Sequence, residues 1–128
     1  MLKKAIKFED FEGNEVEREY FFHLSKVDVT QLELSFPGGL EAYFKKIISE
    51  RKIAEAFEAI RKIVLTSYGE RSEDGMSFRK LRNGLPLYED FAGSPAFDTL
   101  MLELMEIDSE QQAPTALESF LKGIMPKG

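Results

Sequence analysis

The sequence predicts an α+β fold: an N-terminal antiparallel β-hairpin followed by a mainly α-helical bundle of about five helices. Three observations predict it. Apolar and charged residues alternate over 2–8 and again over 15–22, on either side of a Gly13-Asn14 turn. Beyond residue 25, apolar residues recur at three- and four-residue steps instead. Ser25…Asp28, Pro37-Gly38-Gly39 and Ser94-Pro95 punctuate that second region with helix start and stop signals.

In the hairpin, Leu2, Ile6 and Phe8 share one parity, and Val16, Tyr20, Phe22 and Leu24 share another. The expected strands are Leu2–Phe8 and Glu15–Phe22, with Phe21 and His23 on the outer face. Two strands are marginal alone, so helices must cover the apolar side. Ser25-Lys26-Val27-Asp28 reads as a capping box, with Leu24 and Val29 placed as a hydrophobic staple. The short helix that follows turns Val29, Leu32 and Phe36 inward and stops at Pro37-Gly38-Gly39.

The helix Leu40–Glu50 carries a stripe of Leu40, Tyr43, Phe44, Ile47 and Ile48, with Glu41 and Lys45 paired outside. Polar Ser49–Lys52 is expected to break it from the next helix, Ile53–Tyr68, around which the chain is organised. There Ile53, Ala56, Phe57, Ile60, Ile63, Val64 and Tyr68 form the core face, and Glu58–Lys62 is an i,i+4 pair. Gly69 is expected to end it in the left-handed conformation. Residues 69–86 read as a polar loop anchored only by Phe78 and Leu81.

A short helix over Leu87–Ala92 presents Leu87, Tyr88 and Phe91. Ser94 and Pro95 open a helix to Ile107 that buries Phe97, Leu100, Met101, Leu104 and Ile107. Asp108-Ser109-Glu110-Gln111 reads as a turn, and Pro114 suits the first turn of a last helix. That helix carries Ala116, Leu117, Phe120, Leu121 and Ile124 and stops before Pro126. One domain of 128 residues is expected, divided into hairpin (1–24), helical core (25–68), polar loop (69–86) and C-terminal helices (87–125).

Composition bounds the chemistry. The 43% hydrophobic share, with 11 Phe and 4 Tyr, is that of a folded protein. No apolar run is long enough to span a bilayer or form a signal peptide, and a cytoplasmic location is expected. With no Cys there is no disulfide framework. A net charge of −6 argues against nucleic acid as a partner. His23, the only histidine, has no triad spacing, and one His without Cys is too few ligands for zinc. Ser72-Glu73-Asp74-Gly75 lacks the calcium-loop pattern, and Gly38-Gly39 lacks a phosphate-loop Lys. Glu9, Asp10, Glu17 and Glu19 suggest no catalytic pair. Catalytic, cofactor-binding and metal-ligating residues are therefore expected to be absent, and the protein is not expected to be an enzyme.

One binding signal remains. Leu102 and Met105 lie wide of the main stripe of their helix, and Met101, Met105 and Met125 sit in or beside the last two helices. Methionine-rich apolar surface suits variable partners. Met101, Leu102, Met105 and Met125 are the expected partner-binding residues, the alternative being that they fill an irregular core.

The stretches KKAIKFEDFEGNEVEREYFFHLSKVDVTQLELS, GGLEAYFKKI and IVLTSYGERSEDGMSFRK resemble the tail assembly chaperones of long-tailed phages and prophages. The match is most specific over Leu24–Ser35 and Ser67–Phe78, while Arg79 and Leu81 depart from the family pattern. The resemblance implies a non-catalytic cytoplasmic assembly factor. It would bind the tape measure protein, keep it soluble and promote growth of the tail tube around it, without remaining in the mature virion. Implied partners are the tape measure and tail tube proteins, with self-association allowed. The rival readings are a structural virion tail component and a small prophage or host regulatory module.

Overall fold

The computed structural model describes residues 1–106 and 115–126. β1 (Leu2–Glu9) and β2 (Glu15–Phe22) pair antiparallel in an unbroken register from Leu2↔Phe22 to Glu9↔Glu15. Asp10 Oδ1 accepts the backbone N–H groups of Glu12 and Asn14, and Gly13 supplies the positive φ of +86° that closes the turn. Ile6 and Phe22 are buried on one face, with Leu2, Phe8 and Tyr20 packed beside them, as the alternation requires.

The sheet does not stop at the hairpin. β3 (Tyr68–Arg71) joins β2 through Phe21↔Gly69 and Phe22↔Tyr68, and β4 (Phe78–Arg79) joins β3, giving the order β1-β2-β3-β4. β5 (Leu81–Arg82) and β6 (Leu85–Pro86) form a separate two-stranded unit. Asn83 and Gly84 turn it with φ of +51° and +80°. The segment expected as a polar loop thus holds four short strands. Gly69 also differs from its expected role: it lies within β3 rather than in a left-handed cap. A Cβ there would stand 2.5 Å from both the Arg79 carbonyl oxygen and the Phe78 ring. Close approach of β4, not a turn, is what needs glycine.

α1 (Lys26–Ser35) begins at a complete capping box: Ser25 Oγ accepts the Asp28 N–H, and Asp28 Oδ2 accepts the Ser25 N–H. Gly38 and Gly39, both at positive φ, lead into α2 (Leu40–Ser49), which buries Leu40, Phe44 and Ile47 and pairs Glu41 with Lys45. The expected break follows, with Arg51 at φ +54°, before α3 (Ile53–Ser67). α3 buries Ala59, Ile60, Ile63, Val64 and Ser67. Two expected core residues do not join them. Ile53 is 69% exposed because it is the first helical residue, and Phe57 is exposed because it lies at the flank of the stripe, ~60° around from Ile60. Lys62 lies over the Phe36 ring instead of pairing with Glu58.

α4 (Leu87–Ala92) buries Leu87 and Phe91 but leaves Tyr88 exposed, contrary to expectation. α5 (Pro95–Met105) starts at Ser94, whose Oγ accepts the Phe97 N–H, and α6 (Thr115–Ile124) follows. Ile107, the turn over Asp108–Gln111 and Pro114 lie outside the described residues. α5 and α6 pack against β1 and each other, and the Leu24 N–H donates to the Ile124 carbonyl at 2.9 Å. Between sheet and helices Tyr68 stacks on Phe91, ring centroids 4.2 Å apart and planes 8° from parallel, while Phe22 meets Phe91 and Phe120 edge-on.

Candidate functional site

The two stretches that carry the sequence resemblance come together in space. His23 donates its backbone N–H to the Ser67 carbonyl, and its ring meets Phe78 edge-on at 5.6 Å. Lys80 Nζ donates to Asp28 Oδ2 at 2.8 Å and to the Thr66 carbonyl at 2.6 Å. One ammonium therefore holds the start of α1 against the end of α3. The Lys80 carbonyl in turn accepts the Leu87 N–H that opens α4.

The turn between β3 and β4 is organised by its own side chains. Ser72, buried, donates its backbone N–H to the Ser77 carbonyl, accepts the Ser77 N–H at Oγ, and donates from Oγ to Asp74 Oδ1 at 2.7 Å. Asp74 Oδ1 also accepts the Met76 N–H, and Gly75 takes φ +74°. The acidic oxygen is occupied by the turn, which accounts for Ser72-Glu73-Asp74-Gly75 without a cation. Among the described residues no group of three or more His, Cys, Asp or Glu is placed to hold a metal ion.

Electrostatics in this junction are those of a brace. Burial acts to raise the Asp28 carboxyl, but hydrogen bonds from Lys80 and Ser25 outweigh it and hold the group below the ordinary carboxylate range. Burial, helped by the N-terminal ammonium and Lys80, lowers the His23 imidazole below its usual value. Its Nδ1 is buried and has no hydrogen-bond partner among the described residues. Burial beside Phe91 pushes the Tyr68 phenol up to about 12. His23 thus stands among contacts that favour a neutral ring.

The expected binding residues divide. Met101 is interior at 3% exposure, in the main stripe of its helix, and offers no surface to a partner in this conformation. Leu102 projects at 75% exposure. Met105 and Met125 are half-buried and pack against the core cluster. Further apolar side chains stand in the open that sequence reasoning did not expect there: Val27 and Leu34 of α1, Phe11 and Met76 at two turns, and Leu81 and Leu85 on the β5–β6 unit. Leu81, expected as an anchor of 69–86, is instead exposed because its strand pairs with β6 apart from the main sheet. The Asn83-Gly84 dipeptide was the available signal for that last unit. A groove of about 570 Å³ also runs along α3, with Phe36, Tyr43 and Leu65 in its walls and Glu58 and Lys62 at its rim.

A family model described as phage tail assembly chaperone matches residues 1–128, the whole chain. The chain belongs to the phage tail assembly chaperone family, which supports a chaperone role in tail assembly and binding to tail proteins. No curated protein and no solved structure matches it. No helix among the described residues is long and apolar enough to cross a membrane.

Proposed function

We propose that this chain binds the tape measure protein in the host cytoplasm, keeps it soluble, and hands it to the growing tail tube without catalysing a reaction. The observation that carries the proposal is the family match over the full length of the chain. Exposed apolar side chains on a chain of net charge −6 support it. Apolar contacts engage the stripes of a long helical client, and acidic surface keeps the loaded complex dispersed. Many weakly bound copies along one client supply avidity that no single contact provides. Leu102 is the leading contact, with Met105 and Met125 beside it in the sequence of the last two helices.

Co-expression tests this reading. The cognate tape measure protein should remain in the supernatant with this chain and sediment without it. Leu102→Glu should abolish that protection while far-UV circular dichroism stays unchanged. A folded variant that still protects moves the contact surface elsewhere. An unaltered protein that neither binds nor protects overturns the tape-measure assignment, and its recovery from purified virions would favour a structural tail component.

A further inference from the structure

We propose that β1 is a dimerisation strand: two copies of this chain pair edge to edge and antiparallel, with Lys3 of each opposite Glu9 of the other. The ladder shows which groups are available. β1 is a terminal strand of its sheet, so one side of it faces no other strand among the described residues. The Asp10 N–H donates to the Asn14 carbonyl at 2.8 Å, which makes that facing pair a hydrogen-bonded one. Bonded and non-bonded pairs alternate along an antiparallel ladder. Leu2, Lys4, Ile6 and Phe8 therefore turn their backbone groups to β2, while Lys3, Ala5, Lys7 and Glu9 turn theirs outward. All four are exposed, and none makes another backbone hydrogen bond among the described residues.

Edges of this kind are normally blunted by proline, a bulge or an unpaired charge. β1 has eight residues, no proline and an unbroken register. Its two outward lysines lie near carboxylates of β2, Lys3 with Glu19 at 3.2 Å and Lys7 with Glu17 at 4.0 Å, but all four side chains are exposed and the lysines keep their charge for a facing strand.

Charge selects the occupant and the register. Outward-facing groups bond only to outward-facing groups, so two β1 strands can slide by steps of two residues. A twofold axis at Ala5 sets Lys3 against Lys7, and an axis at Lys7 sets that lysine against itself. An axis at Ile6 sets Lys3 against Glu9 twice and Ala5 against Lys7 twice, four facing pairs that each exchange two backbone hydrogen bonds. Glu9 has a reason to take that lysine. Within its own hairpin it faces Glu15, a like charge, and it makes no ion pair among the described residues. The contact is isologous, as closed dimers require.

Sedimentation velocity over micromolar concentrations tests this on the full chain. The unaltered protein should sediment as a dimer. Ala5→Pro removes an outward N–H that no described residue of its own chain uses, and should give a monomer with unchanged circular dichroism. Lys3→Glu and Glu9→Lys should each weaken association about tenfold or more, because each places two like-charge pairs in the dimer, and combining them should restore it. A protein that is monomeric throughout overturns the proposal, including one whose edge instead captures an extended peptide. So does a dimer that survives Ala5→Pro, or one indifferent to both single reversals. Should Ala5→Pro unfold the chain, the reversals and their combination decide.

Discussion

Lys80 and Asp28, fifty-two positions apart, are joined by a 2.8 Å ion pair made on the carboxylate that also closes the capping box of α1. The same carboxylate oxygen serves the Ser25 N–H and the Lys80 ammonium, so the helix start and the strand connection share one acceptor. Asp28→Asn should therefore be less stable at neutral pH and less sensitive to acid. The folded carboxyl is depressed, so its contribution is present above the unfolded value, about 4, and is lost as pH falls through the folded value. Melting temperatures taken downward from pH 5 should drop more steeply in the parent than in the variant. Parallel profiles would remove Asp28 from the account, and Lys80→Met should cost about 1–3 kcal/mol.

His23 gives the opposite end of the acid profile. Its folded pKa is lowered, so the folded state resists the proton that the unfolded chain accepts near pH 6.5. Its stability contribution is whole above that pH and shrinks as pH falls towards the folded value. His23→Phe should flatten the dependence between pH 7 and pH 5 in urea titrations. It should also cost little at pH 7, since the buried Nδ1 loses no partner. An unaltered slope would show that another group titrates there.

Gly69→Ala should cost about 2 kcal/mol or more, because backbone and a packed ring stand where the methyl would go. A chemical denaturation midpoint equal to the parent's would mean that β4 can withdraw from β3.

On α3, Ile60→Asp should prevent stable folding, since it buries a charge with no partner and loses more than the ~2–5 kcal/mol of a large-to-alanine change. Ile53→Lys, two turns earlier on the same stripe but exposed, should stay within about 0.5 kcal/mol. Comparable losses from both would contradict the orientation of the helix.

Ser25→Ala should lose about 1 kcal/mol, and Ser25→Asp should be close to neutral because a carboxylate can take the same N–H. Thermal melting that ranks the two alike would argue against the cap.

The sequence carried the elements whose own pattern defines them. Eight-residue strands with one apolar face show their period, and Ser25 with Asp28 announces a helix start by local hydrogen bonding alone. β3 to β6 were hidden because strands of two to four residues are too short to show alternation; β3 takes its place from Phe21 and Phe22 of β2, β4 from β3, and only β5 and β6 are joined by a local turn. Gly69 could be noticed but not interpreted, since a turn and a close approach both favour glycine. The candidate surface was half legible. Periodicity set Met101 inward and Leu102 outward, but only the packing of α5 against β1 and α6 showed that Met105, read as wide of the stripe with Leu102, lies against the core.

The first strand is finished by the last helices. Lys4 pairs with Glu103 of α5 at 3.0 Å, and the backbone of Leu24 is held by Ile124 at the end of α6. The hairpin precedes α5 and α6 in the chain, so its apolar face is only partly covered, by Tyr68 and Phe91, until those helices are made. Loop closure over roughly a hundred residues must precede the last contacts, and long-range closure of that kind is slow. A growing chain therefore holds Ile6 and Phe22 without their full cover, and the docking of α5 and α6 on β1, rather than formation of any one helix, is the event that closes the core.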